Sequence, residues 1–103
     1  MKIGLLHAMT GSVKPIEDAF REVASHIELV HFMDTELLNM LQVQGKITPS
    51  IIQRFSLLVN LAMSAKVDVI QLTCSAFNNL TSILQPLYSA KLFRSDEAML
   101  DAA

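Results

Sequence analysis

The chain reads as an α/β domain in which four parallel strands lie between layers of helix, and three observations predict this. Short apolar runs of strand length alternate with longer stretches of helical spacing along the whole sequence. The strand candidates are almost continuously apolar, as in parallel sheets covered on both faces, where simple in-out alternation is absent. Helix start and stop signals fall between them, at Thr48-Pro49 and at Gly45. With 103 residues there is room for one domain, spanning 1–103, and not for two.

Lys2 to His7 is the first strand, a compact apolar run broken by Gly11 and Ser12. Pro15 is tolerated in the first turn of the helix that follows. In that helix Ile16, Ala19, Phe20, Val23 and Ala24 recur at helical spacing, while Glu17, Asp18, Arg21 and Glu22 are expected to face water. Ile27 to Met33 is the second strand, and His31 within it suggests an edge or a partly solvated face. Asp34 can cap a short helix through about Gln42, which Gly45 can end.

Thr48-Pro49 pairs an N-cap residue with proline at the first helical position. The helix it starts runs to about Ala65 and is largely apolar. Gln53, Ser56, Asn60 and Ser64 form its narrow polar stripe, so most of its circumference needs covering. Val67 to Thr73 is the third strand, and Ser75 to Tyr88 the next helix, ended or kinked by Pro86. Lys91 to Arg94 is a fourth strand, and Asp96 to Ala103 begins a last helix within which the sequence ends. The order β-α-β-α-α-β-α-β-α implies a three-layer parallel sheet with right-handed crossovers.

Composition narrows the function classes. The chain is 51% hydrophobic and only 17% charged, where soluble domains average roughly 25% charged residues. A domain this short leaves much apolar surface outside, which predicts a homo-oligomer. Scattered charges summing to −2 give no basic stripe for nucleic acid. No apolar run approaches the ~20 residues of a membrane span, and the first strand is too short for the core of a signal peptide. One cysteine excludes an internal disulfide or a CxxC-type zinc site and points to a reducing cytoplasm.

Cys74 is the first candidate for chemistry. It stands where the third strand meets a helix start, and ligands in open α/β sheets bind outside the carboxyl ends of strands. The amino end of a helix also favours thiolate over thiol. The plainer alternative is a buried cysteine acting as a small hydrophobe. Loops after the strands should gather His7, Thr10, Gly11 and Ser12; Met33 and Asp34; Thr73, Cys74 and Ser75; and Arg94, Ser95 and Asp96 on one edge. Hydroxyls and free N–H groups there suit a small anion, although turn and capping roles also explain Thr10, Ser12, Thr73 and Ser75. Capping or surface roles explain Asp34 and Arg94 equally well. His7 reads as a strand-end residue tied to backbone.

Competing motifs fail on spacing. A phosphatase-type loop needs arginine six residues after the cysteine, where this chain has Leu80. Phosphocysteine carriers place cysteine after the first strand, where Ala8 and Met9 stand here. A receiver domain needs an acidic pair after the first strand, which is missing. Gly4 and Gly11 stand singly, so no glycine-rich phosphate loop is present. His7, His26 and His31 lack metal-ligand spacing.

Several segments resemble the aspartate/glutamate/hydantoin racemase family: Met1-Lys2-Ile3-Gly4-Leu5-Leu6-His7-Ala8 with Ser12-Val13-Lys14-Pro15-Ile16, then Gly45-Lys46-Ile47-Thr48-Pro49, Leu72-Thr73-Cys74-Ser75-Ala76-Phe77, and Arg94-Ser95-Asp96-Glu97-Ala98-Met99. The similarity runs through the whole chain in order. It implies a sheet of flavodoxin-like strand order, equivalent to the N-terminal half of a two-domain racemase. Such racemases use two cysteines and no cofactor: one thiolate removes the α-proton and the other thiol delivers a proton to the opposite face. Cys74 matches the first cysteine. Ser75 and Ala76 match the positions that bind the substrate carboxylate, with Thr10 and Ser12 lining the cleft and Thr73 beside them.

Ser75-Ala76-Phe77 replaces the Asn-Thr common after that cysteine in amino-acid racemases, so the substrate is open. The second cysteine and the other half of the cleft are missing from the sequence, and two-base inversion needs both an acid and a base. Three readings follow. The chain is a half-length racemase homologue, inactive by itself; or two copies pool their Cys74 thiols as an isomerase; or it is a non-catalytic binding or assembly module.

Overall fold

The computed structural model describes residues 1–97. Four strands, β1 (Lys2–His7), β2 (Glu28–Met33), β3 (Val69–Leu72) and β4 (Lys91–Phe93), form one parallel sheet in the order β2-β1-β3-β4. The helices are α1 (Val13–Ala24), α2 (Glu36–Gln44), α3 (Pro49–Ser64) and the short α4 (Leu80–Leu84). The α/β class, the single parallel sheet and its flavodoxin-like order are as expected.

Side chains alternate across the strands and so sort into two cores. On one face Ile3 and Leu5 of β1 bury against Phe20 of α1, with Ile16, Leu29, Val69 and Phe93 around them. On the other, Leu6, Ile70, Leu72 and Leu92 meet Leu37 of α2, Ile51, Phe55, Val59 and Ala62 of α3, and Leu80 and Leu84 of α4. Gly4 lets α3 approach β1, since a Cβ there would lie 3.3 Å from the Ala62 Cβ and from both Val67 methyls. β2 is an edge strand, which accounts for His31 within it.

Local signals placed several boundaries. Thr48 caps α3 by accepting from the Ile51 N–H. Asp34 accepts from the Glu36 N–H ahead of α2. Gly45 ends α2 in the left-handed region at φ 74°, its N–H bonded to the Leu41 carbonyl at 2.8 Å. Both sheet ends of β3 are shorter than expected: Val67 and Thr73 lie outside the strand, although the Thr73 N–H still bonds the Leu6 carbonyl at 3.1 Å.

The helix expected over Ser75–Tyr88 is instead three pieces: a 3₁₀ turn (Ser75–Phe77), α4, and a second 3₁₀ turn (Gln85–Leu87) that contains Pro86. Side chains compete with the helical ladder here. Thr81 Oγ1 donates to the Asn78 carbonyl and Ser82 Oγ to the Asn79 carbonyl, while Asn78 Oδ1 turns away to accept from the Ser95 N–H at 2.7 Å. On α1 the apolar face is narrower than its spacing implies, with Val23 66% exposed. Asp96 and Glu97 lie in a turn, and the rest of the expected last helix falls outside the described residues. Among the described residues no helix is long and apolar enough to cross a membrane.

Candidate active site at the carboxyl edge of the sheet

Parallel pairing sets the loops after β1 and β3 side by side, because Leu6 registers with Leu72. The loop after β1 turns through a 3₁₀ segment, Thr10–Ser12, directly into α1. Ser12 Oγ and Thr73 Oγ1 meet at 3.2 Å. Both also reach His7 Nδ1, Ser12 at 2.6 Å and Thr73 at 3.0 Å. His7 is therefore tied to side chains, not to backbone as its strand-end position suggests.

From His7 the polar chain continues across the sheet. His7 Nε2 lies 2.8 Å from His31 Nδ1, and His31 Nε2 lies 2.8 Å from Glu17 Oε1. Arg21 Nη2 donates to Glu17 Oε2 at 3.1 Å. Glu17 thus faces the sheet and not open water. The hydrogen bond from His31, and then that from Arg21, hold its carboxyl below the usual range. Beyond it a cleft of about 220 Å³ between α1 and β2, lined by Glu17, Phe20, Arg21 and Leu29 among others, opens the chain's far end to solvent.

The ionised Glu17 only accepts, so His31 Nε2 carries a hydrogen. If that is the only hydrogen on His31, its Nδ1 takes a hydrogen bond from His7 Nε2–H, which leaves His7 Nδ1 bare. Burial, reinforced by the neighbouring His31, pushes the His7 pKa down to about 4, which keeps His7 neutral at pH 7. Thr73 donates to the Leu6 carbonyl at 3.0 Å. Ser12 has two acceptors for its one hydrogen, the Met9 carbonyl at 3.0 Å and His7 Nδ1 at 2.6 Å, of which His7 is the nearer.

Cys74 sits on the other side of the same edge, because successive residues at the strand exit point to opposite faces. The sulfur is half-buried beside a crevice of about 10 Å³ lined by His7, Ala8, Leu37, Phe55, Leu58 and Phe77 among others, space for about one water molecule. The residue precedes a three-residue 3₁₀ turn and not the long helix expected to face it. Thr10, Ser75 and Ala76 are exposed on the two loops. Asp34 is gripped by Arg54, with Nε to Oδ2 at 2.5 Å and Nη2 to Oδ1 at 3.1 Å, and Arg94 pairs with Asp96 at 2.9 and 3.1 Å. Among the described residues no group of three His, Cys, Asp or Glu is placed to hold a metal ion.

The structure therefore gathers Ser12 and Thr73 at one point, leaves Cys74 on the adjoining face, and adds His7, His31 and Glu17. Sequence spacing misses these last three as a unit. The available signal is a histidine in each of the first two apolar runs, at the end of the first and two residues before the end of the second, which adjacent parallel strands bring onto one face. No family model, curated protein or solved structure matches the chain.

Proposed function

We propose that this chain supplies one half of a cofactor-independent racemase-type site of the aspartate/glutamate/hydantoin kind, acting on a small carboxylate-bearing acid. The observation that carries the reading is the side-by-side exit of the β1 and β3 loops, with Ser12 and Thr73 in contact and Cys74 next in sequence. In this scheme Cys74 exchanges the α-proton. Thr10, Ser75 and the backbone at Ala76 hold the carboxylate through hydroxyl and N–H donors, with Ser12 and Thr73 lining the pocket beside them.

The crevice beside Cys74 holds about one water, so a substrate needs a second wall above it. A second copy of the chain fits that need. α3, whose inner face lines the crevice through Phe55 and Leu58, leaves Leu57 and Leu61 63% and 56% exposed one helical turn apart. Paired copies would bury these and bring an acid and a base to opposite faces of one α-carbon. A free thiol that has to stay reduced fits a cytoplasmic setting.

The test is exchange of the α-proton for deuterium in D₂O across a panel of small amino and hydroxy acids. Exchange by the wild type that disappears in Cys74→Ser supports the reading. A panel without exchange, from protein shown to self-associate, removes it and leaves an assembly module.

A further inference from the structure

We propose that Ser12 is a second, thiol-independent reactive group: a nucleophile toward small activated esters, with His7 as its general base and His31 and Glu17 positioned behind it. Nucleophilic serines need a base within hydrogen-bond reach and a further group that orients the base. Ser12 Oγ is 2.6 Å from His7 Nδ1, within the range of a short hydroxyl hydrogen bond. The orienting group is doubled, because His7 Nε2 lies against His31 Nδ1 and His31 Nε2 against Glu17 Oε1, each link being 2.8 Å long.

Placement supports the same role. Ser12 directly precedes the twelve-residue α1, whose amino end carries partial positive charge toward an oxyanion formed at Ser12. Thr10 and Gly11 beside it are exposed, and Ser12 is itself partly exposed on the same turn. His7 is 1% exposed, and burial lowers its pKa to about 4, so it is neutral at pH 7 but a weak base whose protonated form depends on the His31–Glu17 relay behind it.

The step balances without a co-reactant other than water. Ser12 Oγ bonds to the carbonyl carbon of the ester while its proton passes to His7 Nδ1. The C–O bond to the alcohol breaks, and the proton on His7 leaves with the alkoxide. Water then attacks the acyl-serine, losing a proton to His7, which returns it to Ser12 as the acid departs. The transient positive charge on His7 is shared along the chain toward Glu17, where Arg21 anchors the carboxylate.

A fluorophosphonate probe tests this by intact-protein and peptide mass spectrometry. One adduct is expected, on the peptide containing Ser12, absent in Ser12→Ala. His7→Gln should slow labelling by roughly a hundredfold, the scale of lost general-base catalysis. Glu17→Gln, at a half-exposed position that does not threaten the fold, should lower the maximal labelling rate about tenfold without changing the half-saturating probe concentration. Cys74→Ser should label as the wild type does, which separates this result from the racemase reading. No adduct on folded wild type, an adduct on Thr10 or Ser75, a wild-type rate in Glu17→Gln, or loss of labelling in folded Cys74→Ser would each overturn the proposal.

Discussion

His7 and His31 share a single hydrogen-bonded contact, Nε2 to Nδ1 at 2.8 Å, although 24 residues separate them along the chain. Two imidazoles so close cannot both carry a positive charge cheaply. The buried member, His7, is the one held neutral, and its pKa falls from 6.5 to about 4.

Stability should therefore depend on pH through His7. Between pH 6.5 and about 4 the unfolded chain binds a proton at this residue that the folded chain does not. Stability is fully present above pH 6.5 and is lost as pH falls toward 4, by at most about 3 kcal/mol. Urea unfolding at pH 7.5 and pH 4 should show the wild type losing more than His7→Gln, since other titrating groups are common to both. Equal losses would contradict the account.

Asn78 ties the start of α4 to the exit of β4 through the Ser95 N–H at 2.7 Å. Asn78→Ala removes a buried acceptor and should cost about 1–2 kcal/mol, read as a lower midpoint in chemical denaturation with an unchanged slope.

At Gly45 the backbone is left-handed, with φ 74°, and nothing lies within 4 Å of where a Cβ would sit. Gly45→Ala adds no clash, so its cost is conformational and should be about 1 kcal/mol. Calorimetry would show it as a few degrees in Tm.

Phe55 and Phe77 stack with ring centroids 5.7 Å apart beneath the crevice beside Cys74. Phe77→Ala should cost about 3–5 kcal/mol and leave Cys74 alkylation by iodoacetamide faster, because one wall of the crevice is removed. An unchanged alkylation rate in folded protein would show that Phe77 does not shield the sulfur.

Leu57 and Leu61 make little contact within the chain. Replacing both with lysine should change unfolding free energy by no more than about 0.5 kcal/mol per site. Sedimentation should nevertheless show the self-associated species giving way to monomer. A wild type that sediments as monomer throughout would place the second wall of the proposed racemase site elsewhere.

Much of the architecture was legible in local patterns. The first strand begins and ends where its apolar run does, and Thr48, Gly45 and Asp34 perform the capping tasks their residue types suggest. The region after Cys74 was not legible. Its helical spacing is real, yet Asn78, Asn79, Thr81 and Ser82 sit together and form side-chain bonds that a periodicity argument does not weigh. Glu17 was misread for a related reason: on a helical wheel it lies beside charged neighbours, and only the position of β2 shows that it meets a histidine.

Sequence alone determined the four strands and the first three helices, since hydrophobic period and capping chemistry act over a few residues. It also marked Cys74, Ser12 and Thr73 as residues at strand exits. Tertiary structure decided which of those exits touch and which side chains share a face. Strand order and register brought His7 to His31, carried Ser12 onto both His7 and Thr73, and turned Cys74 to the opposite side. Those relations depend on contacts between residues as much as 66 positions apart, such as His7 and Thr73, and the pleat of the sheet, reversing at every residue, assigns each side chain its face.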